Sequence, residues 1–415
     1  MNSQELRHDA HCRVCRSKTI KELFRLQPTP PEDLFLVKSK CYLSTNTYPL
    51  VLAMCENCGY IHLPYILNPE ISYSNYIYET RVTVGLDSHY QKYAKDVTAF
   101  AQLAKNSFVI DLGSNDGTML RAFKTCGMKV LGVEPNKGLA KISNDSDLKT
   151  INGYFNCRVA SEISNNYGKA LIVTANYMYA NIDNVVGFTQ NVLKVLREDG
   201  LFVVQTGYHA EQMKLNMFDY IYHEHFSYFT VTVLEKLLSA CGMELIRVEL
   251  HSEKGGSIRI YAQPRSGRRA RDSTVGKFLL KEKKIGLHGT KIYSELVSKI
   301  NRKKKELVDF LSRVKSNGNS VIGYGASHST TTLTHHFELS SHLSYIVDDN
   351  PSKVGLYSPG HHLPVYSSEK LYEDKLAYLI ILAWQHMNSI LSRHKSLLGK
   401  GVKFIVPLPT LQIIE

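Results

Sequence analysis

The sequence predicts an α/β protein with a Rossmann-like sheet at its centre, a metal-binding module before it and a second Rossmann-like unit after it. A buried apolar strand enters a glycine turn at residues 109–117, and helix signals follow at once. Two CxxC motifs precede that strand, and a strand–turn–helix pattern restarts near residue 320. Because 415 residues exceed what one hydrophobic core usually sustains, we set three domains at 1–75, 76–265 and 266–415.

The composition is that of an ordinary globular protein, with 43% hydrophobic and 21% charged residues. No apolar run is long enough to span a membrane and the first residues show no apolar signal region, so we expect a cytoplasmic protein with no membrane partner. Residues 265–306 hold 14 Lys and Arg against 4 Asp and Glu, which accounts for 10 of the 12 net positive charges. Such a run is typical of a solvated helix face, although beside a ligand cleft it would favour a diphosphate. We therefore expect no nucleic-acid partner.

Four of the eight cysteines form two pairs, Cys12 with Cys15 and Cys55 with Cys58. In a cytosolic chain, two CxxC motifs most often supply four thiolates to one Zn2+, and disulfides are disfavoured there. Four thiolates leave no coordination position open for water, so we expect the metal to be structural. The other four cysteines have no partner at ligand spacing.

The turn after the first predicted strand is the candidate cofactor site. It reads DLGSNDG, and its candidate residues are Asp111, Gly113, Ser114, Asn115, Asp116 and Gly117. The next strand ends at Glu134 and Pro135, where a carboxylate is placed to bind the two ribose hydroxyls of an adenosine. Two further strands end near Phe155 and Asn176, at the edge of the sheet where ligands collect.

This turn, with its acid in front, resembles motif I of the class I S-adenosylmethionine methyltransferases more than the GxGxxG of a dinucleotide site. A generic α/β turn with structural glycines is the alternative.

Titratable and hydroxyl side chains are crowded in residues 222–228, YHEHFSY. On an extended segment alternate residues face one side, so either Tyr222, Glu224 and Phe226 or His223, His225 and Ser227 would converge. A solvated polar loop is the alternative, and a zinc site is less consistent because HEH lacks the helical spacing of HExxH.

The last third of the chain has its own pattern. Apolar residues at helical spacing between 292 and 314 predict a helical linker. Residues 320–415 then repeat strands and turns, and GYGAS followed by Asp348 would suit a dinucleotide. Because the third glycine of GxGxxG is missing, that signal is weak.

Taken in order, these motifs resemble those of a known family. The ordered set is the paired CxxC, DLGSNDG with GVEP, IYHEHFSYF, EKGGSIRIY, GYGAS, VDDNPSKVGLYSPGHHLPV, ILAWQHM and KFIVPLP. It is similar to the S-adenosylmethionine-dependent C-methyltransferases that act on nucleotide-linked deoxysugars. The resemblance implies a zinc-binding N-terminal module, a central class I methyltransferase domain and a C-terminal domain, with the nucleotide-sugar held between the last two.

The resemblance also implies site residues. The family's catalytic motif falls on Tyr222, Glu224 and His225, with His225 as general base, and its active-site tyrosine falls on Tyr76 or Tyr78. His223 and Asn181 complete the catalytic candidates. The implied reaction is methyl transfer to a carbon, C-3, beside the ketone of a dTDP- or other NDP-linked 4-keto-deoxysugar, by a monomer or a homodimer.

Two positions depart from the family pattern. Close members carry a histidine where this chain has Asn181, and a lysine where it has Ser329. These departures leave the sugar and the methylated carbon open. A nucleotide-sugar O-methyltransferase and a non-catalytic, zinc-stabilised nucleotide-binding protein are the alternatives.

Overall fold

The computed structural model describes residues 5–41, 45–73, 80, 85–374 and 376–415. Tyr76 and Tyr78 lie outside the described residues. The first part of the chain forms five strands and a short α-helix in its described residues. Their bounds are β1 Leu6–His8, β2 Ile20–Thr29, β3 Tyr48–Cys55, β4 Ile61–His62, β5 Tyr65–Leu67 and α1 Pro69–Tyr73. β1 pairs with β5 in a separate antiparallel ribbon.

The central part alternates helices and strands as predicted. Its helices are α2 Leu86–Ala101, α3 Thr118–Thr125, α4 Lys137–Asp145, α5 Cys157–Asn166, α6 Val185–Val195, α7 His209–Lys214 and α8 Val231–Ala240. Its strands are β6 Phe108–Leu112, β7 Lys129–Glu134, β8 Thr150–Asn152, β9 Ala170–Asn176, β10 Leu196–Gly207, β11 Ser227–Tyr228, β12 Met243–His251 and β13 Ser257–Pro264.

Seven of these strands form one sheet in the order β12, β13, β10, β9, β6, β7, β8. Five neighbouring strands run parallel to one another, namely β10, β9, β6, β7 and β8. β13 is antiparallel to both of its neighbours. Adjacent residues of β6 belong to different cores, Val109 to the one with α2 and Ile110 to the larger one, so both faces of the strand are covered. This sheet has the strand order of a class I methyltransferase, which confirms the predicted fold class.

A four-stranded antiparallel sheet joins the first and central parts, in the order β11, β4, β3, β2. Its edge strand β11 belongs to the polar segment 222–228. In register, Ser227 is opposite His62 and Tyr228 is opposite Ile61. The candidate catalytic segment is therefore held by the cysteine-bearing part of the chain.

The last part of the chain forms a second α/β unit. Its helices are α9 Ser273–Lys284, α10 Lys291–Ser316, α11 His328–His336, α12 Met387–Arg393 and α13 Lys395–Leu398. Its strands are β14 Val321–Tyr324, β15 Ile346–Asp348, β16 Val365–Ser367, β17 Tyr378–Ile381, β18 Lys403–Val406 and β19 Gln412–Ile414. They form one sheet in the order β16, β15, β14, β17, β18, β19, which is parallel except for β19.

The basic segment is packed more closely than a linker requires. One face of α10 is buried, with Leu296, Ile300, Leu307 and Leu311 at the four- and seven-residue spacing of a helix stripe. α10 contacts both β2 and β14 and so joins the first and last parts of the chain. Among the described helices, none has both the length and the apolarity needed to cross a bilayer.

Candidate active site

The four predicted zinc ligands lie together, Cys12 and Cys15 in the loop between β1 and β2, and Cys55 and Cys58 where β3 turns into β4. Cys12 Sγ is 3.6 Å from Cys58 Sγ, and Cys15 Sγ is 3.5 Å from Cys55 Sγ. A tetrahedral Zn2+ with Zn–S bonds of about 2.3 Å holds its sulfurs about 3.8 Å apart, so the donor set fits that ion. Backbone N–H groups of Val14 and Cys15 lie 3.4 and 3.5 Å from Cys12 Sγ, which suits a thiolate.

The residue between the first two cysteines reaches the candidate catalytic segment. The buried Arg13 donates from Nη2 to the Phe226 carbonyl oxygen at 2.6 Å and to the Tyr60 hydroxyl at 3.1 Å. The Tyr60 hydroxyl lies 2.5 Å from Ser227 Oγ. The cysteine cluster thus positions the main chain next to His225 through a buried cation.

A cavity of about 730 Å3 opens at the carboxyl ends of the central parallel strands. Its volume is typical of a ligand site, and its place is the one where parallel sheets bind ligands. The sequence-predicted residues in its lining are Asp111, Gly113, Ser114, Asn115, Glu134, Pro135, Phe155, Asn176, Asn181, Tyr222, Glu224 and His225. The candidate cofactor and catalytic residues therefore face one space.

Two carboxylates organise the cofactor side of the cavity. Asp111 Oδ1 accepts from Thr174 Oγ1 at 2.6 Å and from Asn176 Nδ2 at 3.4 Å, and burial raises the pKa of Asp111 to about 7. Glu134, whose pKa is also raised by burial, accepts the backbone N–H groups of Asn115 and Asn136 at 2.9 and 2.8 Å. Each Glu134 oxygen has a second lone pair for a ligand hydroxyl.

Three residues of the glycine turn have different tasks. Gly113 has φ +70°, and a Cβ there would lie 2.9 Å from Met178 Cγ, so a larger residue would be both strained and crowded. Asp116 and Gly117 lie outside the cavity lining. Asp116 Oδ1 accepts from the Thr118 N–H at 3.1 Å and a Cβ on Gly117 would lie 2.5 Å from Ser143 Oγ, so these two residues build the start of α3.

The polar segment 222–228 is not extended at its start. Tyr222, Glu224 and Phe226 share the cavity, as one of the two predicted sets does, but His225 and Ser227 line it as well, so strict alternation does not hold. The His225 N–H donates to the Tyr222 carbonyl oxygen at 3.0 Å and closes a turn. This turn brings the Tyr222 hydroxyl to 2.9 Å from His225 Nε2. His223 faces the other way, where its N–H donates to Glu32 Oε1 at 2.9 Å and its Nε2 lies 3.3 Å from the Thr29 carbonyl oxygen.

The hydrogen bonds of His225 indicate its tautomer. Nδ1 lies 3.4 Å from the Tyr220 carbonyl oxygen, which can only accept, so Nδ1 carries the proton and Nε2 accepts from Tyr222. Burial lowers the pKa of His225 to about 3, and the cations of His328 and Lys254 add to the effect. Burial also raises the pKa of Tyr222 well above its usual value. A neutral imidazole therefore faces a neutral phenol at pH 7.

The last part of the chain supplies a residue that the sequence analysis missed. His328, at the start of α11, lines the cavity with Nε2 3.2 Å from Glu224 Oε1 and 3.9 Å from Asp33 Oδ2. Burial by itself lowers the pKa of His328, but Glu224 and Asp33 outweigh it and raise that pKa to about 9. Lys353 Nζ bonds Asp33 Oδ1 at 2.8 Å. A buried charge cluster thus spans all three parts of the chain.

Other lining residues outside the predicted set include Tyr90, Tyr177 and Lys254. Tyr177 directly follows the predicted Asn176, and Lys254 stands in the quoted motif EKGGSIRIY. His328 stands one residue before Ser329, the position already noted as a departure from the family pattern. Each of these residues could therefore have been found by extending the quoted motifs to the positions beside them.

The predicted dinucleotide signal of the last unit has a structural role. Asp348 Oδ2 accepts the Ala326 N–H at 2.6 Å, and Oδ1 accepts the Asn350 N–H at 2.7 Å. This carboxylate holds the GYGAS turn against the end of β15.

Family models match the three parts of the chain in order. The model described as "Putative zinc binding domain" matches residues 12–73, "Methyltransferase domain" matches 86–248, and "C-methyltransferase C-terminal domain" matches 252–409.

Similar proteins carry matching names. The C-methyltransferase NovU of Streptomyces niveus is 28% identical over 405 residues, which cover 97% of this chain and 96% of NovU. An S-adenosylmethionine-dependent methyltransferase of Clostridium acetobutylicum has 10% identity and a TM-score of 0.34, over 48% of this chain and 96% of that one. The CcbJ methyltransferase of Streptomyces caelestis has 14% identity and a TM-score of 0.35, over 45% and 94%.

The matched domains agree with the geometry of both binding sites. The zinc-binding model covers all four cysteines, and the methyltransferase model covers the glycine turn, Glu134 and the His225 segment. The cofactors are S-adenosylmethionine and a structural Zn2+. The chain is an S-adenosylmethionine-dependent methyltransferase with an N-terminal zinc-binding domain, and over nearly its whole length it is similar to the C-methyltransferases.

Proposed function

We propose that the protein methylates C-3 of a nucleotide-linked 4-keto-deoxysugar of the dTDP type, with His225 as the general base. The observation that carries this proposal is the Tyr222–His225 pair, which faces the same cavity as Asp111 and Glu134. In this proposal the domains keep the limits 1–75, 76–265 and 266–415, and His328 brings the last domain to the substrate.

The cavity supports a two-substrate site. At about 730 Å3, it lies in the upper part of the range for small-molecule pockets. Asp111, Glu134 and Asn176 would hold the donor, and Tyr222, Glu224 and His328 would face the acceptor. The bound donor supplies a methyl sulfonium, and alignment with the acceptor carbon is the main requirement for its transfer.

A ketone beside the target carbon makes its C–H bond acidic. The Tyr222 hydroxyl occupies the free lone pair of His225 Nε2, so we route the proton through that hydroxyl. As the C-3 proton moves to the Tyr222 oxygen, the phenolic proton moves to Nε2, and the C–H electron pair enters the enolate. His225 is neutral at pH 7, so its Nε2 is not already protonated when the sugar binds.

Negative charge then develops on the ketone oxygen. His328 lies in the cavity wall with Nε2 3.2 Å from Glu224 Oε1, and its pKa of about 9 keeps it protonated at neutral pH. A fixed positive charge in a buried site stabilises a developing enolate more than it stabilises the neutral ketone. When the enolate carbon takes the methyl group, the ketone is restored.

The test uses a panel of nucleotide-linked 4-ketosugars in deuterated water. With the methyl donor absent, wild-type protein should exchange the proton beside the ketone, and His225→Asn should not. Donor affinity, measured by calorimetry, should be the same in both proteins. The absence of both exchange and methylation across the panel would contradict the proposal, and NMR of the product would separate methylation at carbon from methylation at oxygen.

A further inference from the structure

A cluster of His89, His251 and Glu253 lies outside the machinery described above. His89 stands in α2, His251 ends β12, and Glu253 stands in the turn before β13. Their ligand atoms lie within 4.8 Å of one another. His89 Nδ1 is 2.9 Å from Glu253 Oε1, and His251 Nδ1 is 3.9 Å from Glu253 Oε2.

The outer nitrogens of both rings face groups that only accept. His89 Nε2 lies 3.0 Å from Gln205 Oε1, which also receives Arg259 Nε and Nη2 at 3.3 and 3.2 Å. His251 Nε2 lies 3.4 Å from Glu249 Oε2. Both Nε2 atoms therefore carry protons, and in neutral rings both Nδ1 lone pairs point toward Glu253.

This arrangement sets lone pairs of two imidazoles against a carboxylate. Glu253 Oε2 is buried and has no hydrogen-bond partner among the described residues. Two imidazolium rings would relieve the conflict, but their centroids are only 5.8 Å apart and Arg259 is close to His89. A cation between the three side chains relieves it without that repulsion.

The surroundings match those of a histidine–carboxylate metal site. Histidines that bind metal donate their other N–H to a carbonyl or carboxylate oxygen, as Gln205 and Glu249 provide here. The positive charge of Arg259 is neutralised by Asp96 at 3.6 Å and by Glu249 at 3.7 Å. The carboxylate of Glu253 is therefore not needed to neutralise Arg259 and can bind a cation.

We propose that His89, His251 and Glu253 bind a second divalent cation, of the Zn2+ type, which ties α2 to the turn between β12 and β13. Two imidazoles and one carboxylate form a known zinc donor set with a fourth position left for water. Bonds of about 2.0–2.1 Å require ligand atoms about 3.4 Å apart, so the His89–Glu253 pair at 2.9 Å must open slightly and the His251–Glu253 pair at 3.9 Å must close slightly around the ion. Tyr90 and Lys254 are chain neighbours of these ligands and line the donor cavity.

The test counts metal ions in the full-length protein after equilibration with buffered Zn2+ and removal of the excess. Elemental analysis should give two Zn2+ per chain for the wild type and one for the double variant His251→Gln, Glu253→Gln. The matched control Glu198→Gln, at an exposed position of β10, should keep two.

Co2+ provides a second measurement that also reports on folding. The first equivalent should give the strong thiolate charge-transfer band of the cysteine site in every variant. The second should add only weaker d–d bands, in the wild type and in Glu198→Gln. One Zn2+ per chain in the wild type, or a second equivalent that persists in the double variant, would overturn the proposal.

Discussion

Arg13 offers the sharpest test of how the zinc-binding part supports the chemistry. Its side chain is 6% exposed, and it donates to the carbonyl oxygens of Phe226 at 2.6 Å and Leu63 at 3.4 Å and to the Tyr60 hydroxyl at 3.1 Å. We consider the change Arg13→Met, which keeps much of the apolar stem and removes every donor. A matched change is Arg7→Met, because Arg7 pairs with the same acids, Asp9 and Asp183, but is 52% exposed.

The size of the effect follows from these contacts. A hydrogen bond to a charged group contributes about 1.5–3 kcal/mol, and an acceptor left buried without its donor costs about 1–3 kcal/mol. Arg13→Met should therefore lower the free energy of unfolding by about 3–5 kcal/mol, whereas Arg7→Met should change it by less than about 1 kcal/mol.

Arg13→Met should also lower activity, because it allows the main chain beside His225 to move. Without Arg13, the main chain at Phe226 loses its shortest tether, and a displacement of about 1 Å near His225 would cost about 100-fold in rate. Donor binding should change little, since the donor residues stand on β6, β7 and β9.

The assay compares proton exchange at the sugar carbon, methyl transfer and donor affinity at a temperature where both variants are folded. If folded Arg13→Met exchanged the proton at the sugar carbon at the wild-type rate, the reasoning would be refuted. So would an equal loss in Arg7→Met.

Three further predictions follow from the cavity. Tyr222→Phe should slow proton exchange nearly as much as His225→Asn, because both remove the relay; near-normal exchange in Tyr222→Phe would leave Tyr222 only an orienting role. Glu134→Gln should weaken donor binding about tenfold by calorimetry, since about 1.4 kcal/mol of charged hydrogen bonding is lost, while unchanged affinity would move the ribose elsewhere. The pKa of His328 is raised from 6.5 to about 9, so the stability that its charge contributes is complete below pH 6.5 and is lost as the pH rises through 9. Between these pH values, the free energy of unfolding measured with denaturant should fall by up to about 3 kcal/mol more in the wild type than in His328→Gln. The same pH dependence in both proteins would contradict this prediction.

Local sequence patterns predicted the parts of the site that are built locally. Asp111 and Glu134 end neighbouring parallel strands, so their meeting at one edge follows from strand order alone. The cysteine pairs also follow from spacing, because each CxxC turn directs two sulfurs to one point.

The arrangement of the catalytic residues could not be predicted from local sequence patterns, for a physical reason. A turn between Tyr222 and His225, and not a strand, decides which side chains face the cavity, and no glycine or proline marks that turn. The charge cluster joins Asp33, Glu224, His328 and Lys353 across up to 320 positions of sequence. Only the packing of three domains brings these groups together, so spacing along the chain carries no trace of them.

The short strand β11 also affects how the chain folds while it is being synthesised. Until residues 227–228 arrive, β4 has one side without a partner, and such an open edge invites pairing with other molecules. A ribosome would have to add some 165 residues after β4 before the proper partner is available. Fragments that end before residue 227 should therefore self-associate, whereas the finished protein is protected because β11 covers this edge of β4.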